Sequence, residues 1–201
     1  MPHHLFSASA HLLWRLRDGT HIVLRPLQAK DSALLEDMLE RLSPRTRRNR
    51  FHGGVNGRPA LLEPMQAEGG VAFVVVAENP HHTQVVAEAR YAIDHDGEGR
   101  TAEFAVVVDD RWQRLGLGAH AMRALTNTAS HAGLHWLYGD VLADNQAMLG
   151  LMQRCHFCCT PDQEDTRLVH AEISLRAAQE PVESNRWWGP RVVHATGMDY
   201  A

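Results

Sequence analysis

Apolar and polar positions follow two rhythms along this chain, and the rhythm changes at turn residues. Alternating or unbroken apolar runs predict strands at His21–Leu27, Val71–Glu78, Gln84–Ile93, Thr101–Val108, Trp136–Leu142 and Leu168–Leu175. Helical spacing marks Ala29–Leu42 through Leu34, Leu35, Met38, Leu39 and Leu42. It also marks Gly118–Gly133 through Met122, Leu125 and Ala129, and Asn145–Cys155 through Met148, Leu149 and Met152. Ser43-Pro44 stops the first helix and caps a short second one through Arg50. Asp18-Gly19, Asn79-Pro80-His81-His82 and Asp94–Gly99 read as turns. Gly53–Gly70 is loop-rich, and the pattern breaks up from Ala177 onward, where Trp187-Trp188 still asks for a packing partner. The order β-α-α-β-β-β-α-β-α-β predicts a mixed sheet with helices on both faces.

Composition narrows the class. A chain of 201 residues with 44% hydrophobic content suits one domain with a sizeable core. A net charge of −4 gives no support for bulk nucleic-acid binding. No run approaches the roughly 18 apolar residues of a membrane helix. Met1–Ala10 lacks the features of a secretion signal. Three cysteines make no disulfide framework, so a reducing cytoplasm is the expected compartment. Among the 20 basic residues Lys30 alone is lysine.

The chemistry concentrates where the strand Thr101–Val108 runs into Gln113-Arg114-Leu115-Gly116-Leu117-Gly118-Ala119 and then a helix. A helix start leaves N–H groups unpaired and carries partial positive charge, and small residues let an anion reach the backbone. Glu103 stands among apolar strand residues just before this cradle, and period two places it on one face with Ala105 and Val107. A carboxylate on an apolar strand is costly unless paired or functional, and one beside an anion cradle can serve as a base. Partial burial is expected to raise the Glu103 pKa toward the useful range.

The strand order, Gln113–Gly118 in the pattern Q/R-x-x-G-x-G/A, and the Asn145 helix together resemble the GNAT acyltransferase superfamily. Ile22–Leu27, Asp31, Leu42-Ser43-Pro44, Arg50-Phe51, Ala102–Val108, Asp110, Trp112-Gln113 and Asp144–Met148 resemble the acetyltransferase domain of bacterial protein lysine acetyltransferases. The resemblance implies an α/β (α+β) GNAT fold, a mixed central sheet of six to seven strands flanked by about four helices. That domain would span residues 19–176, after an N-terminal extension (1–18) and before an irregular tail (177–201). It implies acetyl-CoA as co-substrate, with the diphosphate held by amides of Arg114, Leu115, Gly116, Leu117, Gly118 and Ala119 beside Gln113. The pantetheine arm would pair with backbone groups of Val106, Val107 and Val108 and touch Asn145, which also suits a helix cap. Glu103 falls where those enzymes carry the base; a structural carboxylate is the alternative. Such enzymes often carry a nucleotide-binding-type domain, which a chain of this length is expected to lack.

The implied activity is N-acetylation of a primary amine, a protein lysine first, by direct attack in a ternary complex. The alternatives are a small-molecule amine (polyamine, amino acid or antibiotic) and a non-catalytic CoA-binding sensor module. A homodimer is the candidate assembly; no nucleic-acid or membrane partner is expected. The family's helix tyrosine, a general acid, falls on Met152, which donates no proton, and the usual glycine four residues later is His156. If the helix ends left-handed there, His156 carries mild strain. Cys155 and Cys158 have C-x-x-C spacing, yet no second pair completes a zinc set, so they read as thiols and no metal is expected. Arg41, Arg45, Arg47, Arg48 and Arg50 read either as a docking patch or as a solvated face.

Overall fold

A computed structural model describes residues 10–52, 70–79, 82–94, 100–175 and 192–194. The strands are β1 (Ala10–Arg15), β2 (His21–Pro26), β3 (Val71–Asn79), β4 (His82–Ile93), β5 (Thr101–Val108), β6 (Trp136–Leu142), β7 (Cys158–Pro161), β8 (Leu168–Ser174) and β9 (Val192–His194). The helices are α1 (Ser32–Arg41), α2 (Pro44–Phe51), α3 (Leu117–His131) and α4 (Gln146–Arg154). All the strands join one sheet in the order β7-β8-β6-β5-β4-β3-β2-β1-β9.

Nine strands exceed the six to seven expected. Two of the additions lie in the segments read as extension and tail: β1 pairs with β2 through Leu12–Leu24 to Arg15–His21, and β9 pairs with β1. The third, β7, is a four-residue edge strand antiparallel to β8. The first predicted helix divides into a 3-10 turn, Ala29–Asp31, and α1. The loop at 53–69, the turns at Pro80-His81 and 95–99, and Trp187-Trp188 lie outside the described residues. No helix among the described residues is long and apolar enough to cross a membrane.

Period two splits the core into two layers. Ile22, Leu24, Phe73, Val75, Ala89, Tyr91, Ala102, Phe104 and Leu137 pack with Leu117, Ala121, Met122, Leu125 and Ala129 of α3 on one side of the sheet. Val23, Val74, Val76, Val85 and Val107 pack with Leu35, Met38, Leu39 and Leu42 on the other. Each Val, Leu, Ile, Phe or Met side chain among them contributes about 1.5–3 kcal/mol when buried. Helices therefore cover both faces. The β2–α1 corner is locked by a two-pronged ion pair, with Arg25 Nη1 and Nη2 on Asp31 Oδ2 and Oδ1 at 2.6 and 2.7 Å. Asp31 is 1% exposed, so it serves as a buried anchor rather than a surface charge at a helix start.

Candidate active site

The sheet opens at Glu103. β5 and β6 run parallel and pair only at Thr101–Trp136, Ala102–Leu137 and Glu103–Tyr138. Beyond that rung β6 pairs onward with β8 and β5 with β4, and the two strands part. The Asp109 N–H donates to the Val86 carbonyl at 2.9 Å on the β4 side. Strand alternation then turns the backbone groups of Phe104, Val106 and Val108 toward the gap, and those of Val107 toward β4. Val106 and Val108 thus present backbone groups to the gap. The backbone pairing expected of Val107 is corrected: its N–H and carbonyl are used on β4, and its side chain is buried in the core layer with α1.

Gly139 stands where the strands divide. A Cβ there would lie 2.9 Å from the Phe104 carbonyl oxygen and 3.1 Å from its ring. Only a residue without a side chain allows this approach. The sequence signal for this fork is an isolated glycine inside a strand pattern.

At the far end of β5 lies the cradle. Asp109 opens a 3-10 turn, Asp110–Trp112, and Gln113 folds back so that Nε2 donates to the Val108 carbonyl at 3.1 Å. Arg114 (φ 63°) and Gly116 (φ 83°) are left-handed, and Gly116 caps α3. Left-handed residues at such a bend gather successive N–H groups into a concave nest. The first amides of α3, at Leu117, Gly118 and Ala119, have no partner within their own helix. A Cβ on Gly116 would meet nothing within 4 Å, while one on Gly118 would meet Leu151 Cδ2 at 3.1 Å and Val108 Cγ2 at 3.6 Å. The space over Gly116 and the donors around it fit a diphosphate, and the gap beside Val106 and Val108 fits an extended amide-bearing arm. Leu115 is exposed.

Two carboxylates fasten this loop to the helices opposite. Asp109, 1% exposed, accepts Arg41 Nε at 3.0 Å. Asp110 accepts the Ser43 N–H at 2.9 Å, Ser43 Oγ at 2.8 Å and Thr46 Oγ1 at 2.6 Å. Burial pushes the Asp110 carboxyl up, but these hydrogen bonds outweigh it and hold the pKa below the ordinary value. The sequence reading gave neither residue this task.

Glu103 is exposed, so the expected partial burial is not met. Its face is covered by α1 and α2 over β2–β5, and among the described residues no helix continues that cover across β6 and β8. Two residues of β4 on the same face are charged. Antiparallel register sets Glu88 opposite Val107 and Arg90 opposite Ala105. Glu88 is fully buried, with Oε1 accepting from Arg90 Nε and Oε2 3.8 Å from Arg50 Nη2. Glu88 Oε2 and Arg50 Nε are buried without a hydrogen-bond partner. Burial lowers the Arg50 pKa against the opposing pull of Glu88.

The arginine cluster is therefore not one face. Arg41 and Arg50 turn inward, whereas Arg45, Arg47 and Arg48 are exposed. Arg48 Nη1 reaches Asp144 Oδ2 at 2.9 Å, linking α2 to the loop before α4. Beside it a cleft of about 170 Å³ is lined by Arg48, His52, Leu142, Asp165, Arg167 and Leu168.

Asn145 caps α4, its Oδ1 accepting the Met148 N–H at 3.2 Å. Met152 is fully buried in the α3-side core, which accounts for its apolar character. α4 ends left-handed at His156 (φ 65°), as anticipated, with the Phe157 N–H returning to the Met152 carbonyl at 3.0 Å. Cys155 and Cys159 are half-buried and Cys158 exposed, all three unbridged.

Comparison with known proteins agrees with this geometry. The model of the acetyltransferase (GNAT) family matches residues 36–157, more than half the chain. The acetyltransferase PA5475 of Pseudomonas aeruginosa is 34% identical over 165 residues, spanning 80% of this chain and 88% of that protein. The acetyltransferase Pat of Mycolicibacterium smegmatis is 31% identical over 163 residues, 80% of this chain, which spans 48% of that longer relative. Among solved structures, the GNAT domain of S. lividans PAT superposes with a TM-score of 0.69 at 19% identity, covering 82% of this chain and 96% of that domain. The YncA structure from Salmonella typhimurium, solved with acetyl-CoA, gives 0.59 at 19% identity over 81% and 99%. The nested amides at Gly116, the strands parting at Glu103 and the family match over 36–157 converge: this chain is a member of the acetyltransferase (GNAT) family.

Proposed function

We propose that the chain transfers an acetyl group from acetyl-CoA to the amine of a protein lysine. The observation that carries this reading is the gap between β5 and β6, which has the amide nest at one end and Glu103 at the other. The residues that would hold the donor are Gln113–Ala119 at the diphosphate and Val106, Val108 and Asn145 along the arm. When bound there, acetyl-CoA supplies an activated thioester acetyl group. The Val106 N–H, turned into the gap, is the donor placed to stabilise negative charge on a carbonyl oxygen. Glu103 takes the proton of the acceptor ammonium, directly or through water, and leaves a neutral nucleophile. The exposure of Glu103 suits an acceptor presented on another protein's surface, and the resemblance of Ala102–Val108 and Asp144–Met148 to bacterial protein lysine acetyltransferases supports the same class. Met152 offers no proton, and a leaving thiolate with a pKa of about 8.5 needs no strong acid.

The test is Glu103→Gln. Acetyl-CoA affinity should hold while turnover near pH 7 falls about 10²-fold or more, the usual worth of a positioned base. Full turnover in this variant removes Glu103 from the role. Labelled acetyl-CoA offered to free amines and to lysate proteins separates the lysine reading from a small-molecule acceptor.

A further inference from the structure

Glu103 shares its rung, the last before the strands part, with Tyr138. Neighbouring strands lie about 4.8 Å apart, and partners on a rung point to the same side. The phenol and the carboxylate therefore rise together from the face that an acceptor approaches. Tyr138 is only partly buried. Its proton is already committed, because Oη donates to Asp94 Oδ2 at 2.8 Å. Asp94 is itself held, its Oδ2 accepting Thr101 Oγ1 at 3.1 Å and its N–H donating to the Thr101 carbonyl at 2.9 Å. On its other side the ring stacks on His170, centroids 5.6 Å apart, and His170 Nδ1 lies 3.0 Å from Asp140 Oδ1. Burial first, then the Asp94 hydrogen bond and the charges of Asp94, Glu103 and Asp140, push the phenol pKa well up. Tyr138 stays protonated, and with its hydrogen fixed on Asp94 it offers only oxygen lone pairs.

An ammonium is the complement, with three donors and no acceptor. We propose that Tyr138 is an acceptor-binding residue: its Oη accepts one N–H of the incoming primary amine while Glu103 receives another. The two contacts turn the nitrogen toward the gap. An alcohol has one hydrogen to give and satisfies only one of them, so the pair selects a primary amine. The inference rests on the Glu103 reading above. Asp94 is the positioning residue, acting through the phenol.

The test uses the full chain with a mixture of short peptides, lysine at the centre and flanks randomised. Tyr138→Phe removes one charge-assisted hydrogen bond and should raise the apparent KM for the peptides about tenfold. Acetyl-CoA Kd and the unfolding midpoint should stay at wild-type values. Asp94→Ala should raise the peptide KM similarly, and Asp94→Asn, which keeps an oxygen for the phenol proton, should restore it. Wild-type peptide KM in Tyr138→Phe, or peptide KM and acetyl-CoA Kd weakening together, overturns the inference. If Tyr138→Phe is silent while Glu103→Gln is slow, only the Tyr138 role falls. If Glu103→Gln runs at full speed, the base reading falls. A wild-type enzyme inactive on the mixture sinks the lysine acceptor and this inference with it.

Discussion

On one side of β5, Ala102 and Phe104 are buried, and Val106 and Val108 pack against the α3 core. On the other, Glu103 is exposed beside Tyr138, and Arg90, Glu88 and Arg50 form a charged group on the same side of the sheet. The apolar side holds the strand in place through area removed from water, a force without direction. The charged side depends on particular partners at particular rungs. The proposed donor site needs little from either, since it would use backbone groups in the plane between them. On the proposed function, one strand separates anchoring, donor binding and acceptor chemistry by direction alone.

Removing a partner should hurt the charged side most. Glu88→Ala strips the shared carboxylate from Arg50 and Arg90 and leaves buried positive charge. That costs about 3–5 kcal/mol, the usual penalty for breaking a buried pair by deleting one member. Leu125→Met in the α3 layer on the opposite side should cost under about 1.5 kcal/mol, as a volume-conserving apolar change. Urea unfolding of both variants measures the contrast; equal costs would erase the distinction between the two sides.

Gly139→Val attacks the plane between them. Its Cβ meets backbone oxygen at 2.9 Å, which does not swing aside as a side-chain end would. Overpacking here should cost about 2 kcal/mol. Because the strain falls where β5 and β6 divide, acetyl-CoA Kd should weaken in the same variant. Unchanged Kd with lowered stability would detach the fork from donor binding.

The same division explains what was legible in the sequence. The apolar side of β5 and the α3 stripe announced themselves by period, and the cradle by a contiguous run from Gln113 to Gly118. The acceptor side was not visible, because Asp94, Tyr138, Glu88, Arg90 and Arg50 come from β4, β6, α2 and the end of a strand, and only register brings them together. Glu103 was found from its isolation among apolar residues, yet its exposure was not, since that depends on where α1 and α2 stop covering the sheet. β1 was missed because its worth lies in pairing with β2 rather than in its own pattern. Asp31 is anchored by Arg25 of β2, a pairing that spacing along the chain does not show.

The α3 side carries its own small strain at the end of α4. His156 is left-handed where a glycine would sit without cost. His156→Gly should stabilise by about 1 kcal/mol, the left-handed penalty of a side-chain-bearing residue less the added freedom of the unfolded chain. Turnover should not change, since the position faces neither the cradle nor Glu103. Thermal unfolding with an activity assay checks both; a loss of stability would mean that the imidazole contributes a contact beyond backbone conformation.

The smallest effect expected on that side is a dependence on pH. His120 of α3 stacks against Trp14 of β1, ring centroids 4.6 Å apart. Burial first, and then the charge of Arg123, lowers its pKa from the ordinary 6.5. A lowered histidine means the folded state binds the proton less readily than the unfolded chain does. Its contribution is then fully present above the unfolded pKa of about 6.5 and is lost as pH falls through that value toward the folded one. The unfolding midpoint should therefore drop as pH is taken from about 7.5 to about 5.5, and His120→Phe, which keeps a ring against Trp14, should flatten part of that drop. The same variant should leave the pH dependence of Glu103-assisted turnover in place, since His120 and Glu103 lie on opposite sides of the sheet. A parallel drop in wild type and variant would show that the β1–α3 contact is insensitive to the charge on this ring.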